Sequence, residues 1–124
     1  MKNLLLSLVL VLTFTGCVTP GNDPLIVHAQ QTKRLYLATA DSFLKLEKAN
    51  RDVLWKKDHG FKHIADRVRI YTPEYIAIVD KAITDWKVAK TQPNQVALSS
   101  GITILTDVIS DVTKETLKAK EMIK

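Results

Sequence analysis

The chain has 124 residues, 46% hydrophobic and 25% charged, with 18 basic and 13 acidic side chains and a formal net charge of +5. That length bounds it to one small domain, and its single cysteine, Cys17, excludes an internal disulfide, so packing alone must hold the fold. The modest positive balance favours loose attraction to anionic surfaces, and because the charges are interspersed with no run of five or more, a solvated surface explains most of them.

The first element is an export signal. Lys2 supplies one positive charge, Leu4 to Phe14 is almost wholly apolar, and Phe14-Thr15-Gly16-Cys17 follows. Eleven residues of helix rise about 16 Å, whereas a bilayer core needs about 30 Å, so the run predicts a cleaved signal and not a permanent span. Phe14-Thr15-Gly16-Cys17 resembles the lipobox of bacterial prolipoproteins, with Phe14 standing where Leu, Val or Ile is usual. The resemblance implies a signal peptide over 1–16, cleavage before Cys17, a diacylglycerol thioether on Cys17 and an N-acyl chain on its amine. Several acyl chains anchor a protein stably where one does so marginally. Val18 follows Cys17 in place of the Asp that commonly marks inner-membrane retention, which implies the periplasmic side of the outer membrane in a Gram-negative host. The alternative is an ordinary secretory signal with an accidental cysteine. Removing residues 1–16 leaves 108 of the 124 residues and a net charge of +4.

Residues 17–22 predict a tether, because Pro20 and Gly21 resist helix. The domain over 23–124 then opens on Asp23-Pro24, a cap followed by proline at the first helical position. No Gly or Pro follows until Gly60, which predicts one long helix to Asp58. Its apolar stripe takes Leu25, Leu35, Tyr36, Phe43, Leu46, Val53 and Leu54, with Leu37, Ala40 and Leu44 on one flank. Arg34, Asp41, Lys45, Lys48 and Asp52 fall opposite, and Glu47 and Arg51 stand four apart in the favourable order.

His59-Gly60 interrupts the pattern. Phe61, Ile64, Ala65 and Val68 form a stripe to about Ile70, and Thr72-Pro73 repeats the cap-then-proline signal. From Pro73 to about Thr91 the seam is Ile76, Val79, Ile83 and Trp86, flanked by Tyr75 and Ala82. The middle helix is thus expected to be broken, as two helices or one kinked helix. Gln92-Pro93-Asn94 predicts a turn, and the last helix runs from about Gln95 to Met122. There Leu98, Ile102, Leu105, Ile109, Val112, Thr116, Ala119 and Ile123 keep a 4-3 repeat. Gly101 costs about 1 kcal/mol relative to Ala inside this helix and points to close helix approach. No period-two alternation is long enough for a strand. The expected fold is all-α: a small antiparallel bundle of three main helices, the middle one broken. The heptads leave the oligomeric state open.

Four features offer candidate chemistry. His59, His63 and Asp66 share one face if helical and could hold Zn2+ or Cu2+, although Gly60 and the nearby Lys62, Arg67 and Arg69 oppose this; a surface histidine pair is the alternative. Asn50 sits in the apolar stripe beside Glu47, where a polar residue fixes helix register or binds a polar ligand. Lys56, Lys57, Lys62, Arg67 and Arg69, interleaved with Phe61 and Tyr71, suit a membrane surface or a solvated face. Lys124 is terminal, and with Cys17, Val18 and the heptads it resembles the murein lipoprotein family, whose C-terminal lysine is joined to peptidoglycan. Length, Gly60, Pro73, Pro93 and the Met122-Ile123-Lys124 ending depart from that family.

No catalytic motif is present. Ser99-Ser100-Gly101 lacks the preceding Gly of a nucleophile elbow, no phosphate-binding loop occurs, and Cys17 is consumed by lipidation. No cofactor is expected, and export removes nucleic acid as a partner. The body broadly resembles small uncharacterised helical lipoproteins of bacteria and phages around Asp41-Ser42-Phe43-Leu44-Lys45-Leu46-Glu47. The expected function is a non-enzymatic, lipid-anchored structural or binding module of the cell envelope. A phage- or plasmid-encoded envelope lipoprotein, for entry exclusion or lysis, is one alternative, and a periplasmic metal- or ligand-binding module is another.

Overall fold

The computed structural model describes residues 23–124; the signal peptide over 1–16, Cys17 and the tether over 17–22 lie outside the described residues. Asp23 caps the first helix as its position predicts: its Oδ1 accepts from the amides of Leu25 at 2.9 Å and Ile26 at 3.4 Å. Four helices follow, α1 (Pro24–Ala49), α2 (Arg51–Lys57), α3 (Gly60–Val88) and α4 (Gln92–Met122). The described residues contain no strand, and the fold is the all-α bundle expected.

Three rods of about 39, 43 and 46 Å, at about 1.5 Å per residue, run up, down and up. Lys90, beyond the end of α3, meets Asp23 at the start of α1, and Lys57 after the first upward path meets the Met122 carbonyl at the end of α4. α3 is therefore antiparallel to both neighbours, and α1 and α4 are parallel. Each rod turns one stripe inward. Tyr36, Ala40 and Phe43 from α1, Phe61, Ala65, Val68, Val79, Ala82 and Ile83 from α3, and Leu98, Ile102, Leu105, Ile109, Val112 and Ala119 from α4 are buried together. A fully buried Phe or Leu contributes about 1.5–3 kcal/mol. In α4 the buried set follows the 4-3 repeat, and Thr116 joins it half-buried because its hydroxyl donates to the Val112 carbonyl at 2.8 Å. Gly101 is fully enclosed: a Cβ there would stand 3.2 Å from Val79 Cγ2, which is the close approach expected.

Three expectations need correction. The first helix does not run unbroken to Asp58; it ends at Ala49, and Asn50 caps it at φ −125° and ψ 23°. The Asn50 side chain donates to the Leu46 carbonyl at 3.0 Å, so it terminates a helix instead of fixing a seam. Bending the chain here lets α2 fold Leu54 fully into the core and Trp55 partly against it, while Val53 and Leu37 turn outward. Second, the middle helix is not broken: α3 is continuous through Pro73. Proline forfeits the bond to the Arg69 carbonyl, a loss of about 3 kcal/mol in a helix interior, but Pro73 and Arg69 are exposed and water can satisfy that carbonyl. The Thr72 hydroxyl, free of any cap role, bonds Tyr36 Oη at 2.7 Å, and Val68 and Val79 anchor α3 in the core on either side. Third, Gln92-Pro93-Asn94 is not a turn. Thr91 caps α4, Pro93 sits in its first turn, and the Asn94 amide closes the corner by donating to the carbonyls of Asp85 and Ala89.

Candidate functional site

The polar chemistry of the bundle gathers at its two ends, and each end uses one of the two tryptophans. At the end where α1 begins, Asp23 Oδ2 accepts from the indole nitrogen of Trp86 and from Lys90 Nζ, both at 2.8 Å. The Lys90 ammonium also lies 4.5 Å from the Trp86 ring centroid, a cation–π contact. The Lys90 hydrogen bond foremost, then those of Trp86 and the α1 amides, hold the Asp23 carboxyl below the usual carboxylate range against the opposing effect of burial.

At the opposite end, Glu47 is wholly buried. Its Oε1 accepts from Trp55 Nε1 at 2.9 Å and Arg51 Nε at 3.1 Å, and its Oε2 accepts from the guanidinium groups of Arg51 and Arg69. Arg51 and Lys62 lie over the Trp55 ring at 4.8 and 5.5 Å. This carboxylate therefore joins α1, α2 and α3 at one point. The i,i+4 spacing predicts only the local pair of Glu47 with Arg51 and not the burial of Glu47. A signal existed: Glu47 continues the spacing Ala29, Thr32, Tyr36, Ala40, Phe43 that the buried face of α1 follows.

Around the same end, Asp58 Oδ1 accepts from the Gly60 amide at 2.8 Å and its Oδ2 from Lys118 at 3.3 Å. The Gly60 amide first, then Lys118, lower the Asp58 carboxyl below its ordinary range. A Cβ at position 60 would come 3.0 Å from Asp58 Oδ1, so a larger residue there would have to push this carboxylate aside by a few tenths of an ångström.

His59 precedes α3 as its cap residue without a side-chain capping bond, while His63 lies inside the helix; both are exposed. Asp66 is engaged by Lys62 at 2.9 Å and Arg69 at 3.2 Å, and Lys62, then Arg69, lower its carboxyl below the usual range. No group of three or more His, Cys, Asp or Glu side chains suited to a metal occurs among the described residues. The interleaved basic cluster is dispersed. Lys57 donates to Met122, Lys62 to Asp66 and Arg69 to Glu47, and Arg67 lies 3.6 Å from Asp111. Its Phe61 is fully buried, and Tyr71 stacks on Tyr75 with centroids 6.0 Å apart. Lys124 is exposed and pairs with Glu121 at 3.2 Å.

Along the outside of α4 runs an open groove of about 480 Å³, lined by Gln95, Val96, Ser99, Ser100, Thr103 and Ile104. It carries no ionisable side chain. No protein-family model, curated protein or solved structure matches this chain.

By length and composition α4 is apolar enough to cross a membrane. In the bundle it instead packs its apolar stripe against both α1 and α3, the behaviour of a core helix.

Proposed function

We propose that this chain is a lipid-anchored protein of the bacterial cell envelope whose helical bundle acts as a structural or binding module and not as an enzyme. The single observation that carries the reading is Phe14-Thr15-Gly16-Cys17 behind an apolar run too short to span a bilayer. The anchor is a thioether-linked diacylglycerol with an N-acyl chain on Cys17, and the absence of an Asp after Cys17, where Val18 stands, favours the outer membrane where the host has one. Two features of the body support an anchored, non-enzymatic reading. Helix α1 is capped at Asp23, only six positions beyond Cys17, so the lipid would hold the bundle close to the bilayer. The carboxylates Asp23, Glu47, Asp58 and Asp66 are each engaged by cations, indoles or amides, so they serve the fold.

Intact mass of the membrane-fraction protein, wild type against Cys17→Ser, tests the reading. A wild type cleaved and acylated, with a variant that is neither, is the expected result. A cleaved but unacylated wild type would make the protein a secreted bundle with a free thiol, and an uncleaved chain would overturn both the signal and the localisation.

A further inference from the structure

The outer faces of the helices are unequal in charge. α1 exposes Arg34, Asp41, Lys45 and Lys48, and α3 exposes Lys62, Glu74, Asp80 and Lys81. The second half of α4 exposes Asp107, Asp111, Lys114 and Lys118. From Thr91 to Thr106, by contrast, no residue is ionisable, although most positions outside the inward stripe are exposed. Val96 is 56% exposed and Ile104 37% exposed on this face, and Val88, at the corner leading into it, is 82% exposed. Lys87 and Lys90 flank that corner. Uncharged, partly apolar surface bordered by lysines is the pattern of a helix seated in a membrane interface, with lysine stems reaching to the headgroups.

We propose that the uncharged outer face of α4 over residues 92–106, together with the α3–α4 corner, rests on the bilayer that holds the lipid anchor, seating the bundle side-on. This rests on the lipid-anchor reading. The covalent path supports the occupant. Five residues separate Cys17 from Asp23, and their six Cα–Cα steps span at most about 22 Å; Asp23 accepts a hydrogen bond directly from Lys90 at the corner. The face, about 22 Å long by its 15 residues of helical rise, therefore starts within tether reach of the membrane. The basic residues Lys56, Lys57 and Lys62 belong to the opposite end, away from that bilayer.

The test uses the full-length acylated protein in vesicles of phosphatidylethanolamine and phosphatidylglycerol, with a dye on one introduced cysteine and a nitroxide-bearing lipid as quencher. Ser100→Cys samples the α4 face, and Gln30→Cys samples the outside of α1 at a similar height in the bundle. Seating by depth of a few ångströms predicts quenching at Ser100 on the order of threefold stronger than at Gln30. In a Val96→Lys, Ile104→Lys background the difference should vanish while the helical circular dichroism stays unchanged. Equal quenching at both positions means an upright bundle and overturns the proposal, as does quenching at neither. Self-quenching at Ser100 that rises with surface density identifies a second copy as the occupant and also overturns it. Intact mass separates the two failures: an acylated protein with equal quenching loses only the seat, and an unacylated one loses the anchor and the seat together.

Discussion

The two ends of the bundle solve one problem with the same parts and different solvent. Each has a carboxylate, an indole N–H that donates to it, and a cation over the indole ring. The Asp23 side chain keeps 22% of its surface exposed and Lys90 49%; the Glu47 side chain keeps none. Charge interactions strengthen as the effective dielectric falls, but so does the cost of removing a charge from water. The Asp23 cluster therefore acts as a helix cap reinforced by a weak surface pair. The Glu47 cluster is a joint: three elements meet on one buried carboxylate, and removing it strands its partners.

Breaking that joint is the largest effect expected. Glu47→Ala should lower the unfolding free energy by about 2–4 kcal/mol, somewhat below the usual loss for a broken buried pair because Arg51 and Arg69 remain partly hydrated. Urea unfolding followed by circular dichroism measures it, and a loss of only about 1–2 kcal/mol, the range expected of a missing helix cap at Asp23, would put the two ends on an equal footing. Asp23→Ala should lose about 1–2 kcal/mol by the same assay, chiefly as a missing helix cap.

The tryptophans sharpen the contrast. Trp55→Phe leaves a buried carboxylate short of one donor, whereas Trp86→Phe leaves an acceptor that water reaches. The first should be the more destabilising, by about 1 kcal/mol. Reversal of that order would show that ring packing, and not the indole N–H, sets the value of each cluster.

Acid should act on the Asp23 end through a known sign. Its folded pKa lies below the unfolded value, so its contribution is fully present above about pH 4 and is lost as pH falls through the lower folded value. In a Trp55→Phe background, Trp86 fluorescence should report this change only below about pH 4, and Asp23→Asn should remove it. The smallest effect belongs to Lys90→Gln, below about 0.5 kcal/mol and fading in high salt. A larger, salt-insensitive loss would mean that Lys90 is held by its ring contact with Trp86.

How much was legible depends on whether neighbours in sequence decide the outcome. The inward positions of α4 follow from a 4-3 repeat that one helix carries by itself, and burial at Leu98, Ile102, Leu105 and Ile109 agrees. The Asp23-Pro24 start is likewise local, since cap and proline act within one turn. Pro73 and Asn50 mislead for the opposite reason. The local cost of proline is outweighed by core contacts on either side of it, and nothing near Asn50 demands a break until α2 must turn to bury Leu54. The candidate site divides in the same way. Cys17 and its lipobox-like surroundings are visible as sequence. The uncharged stretch from Thr91 to Thr106 can be seen there too, but its position beside the start of α1 cannot.

By itself the sequence determined an all-helical domain, because helical periodicity and caps each act over a few residues. Only the tertiary structure decided that Glu47 is a buried joint, that Pro73 lies inside a continuous helix and that Lys90 bonds Asp23. Those outcomes depend on which residues meet across 22 to 67 positions of chain, where burial and solvent access outweigh local preference.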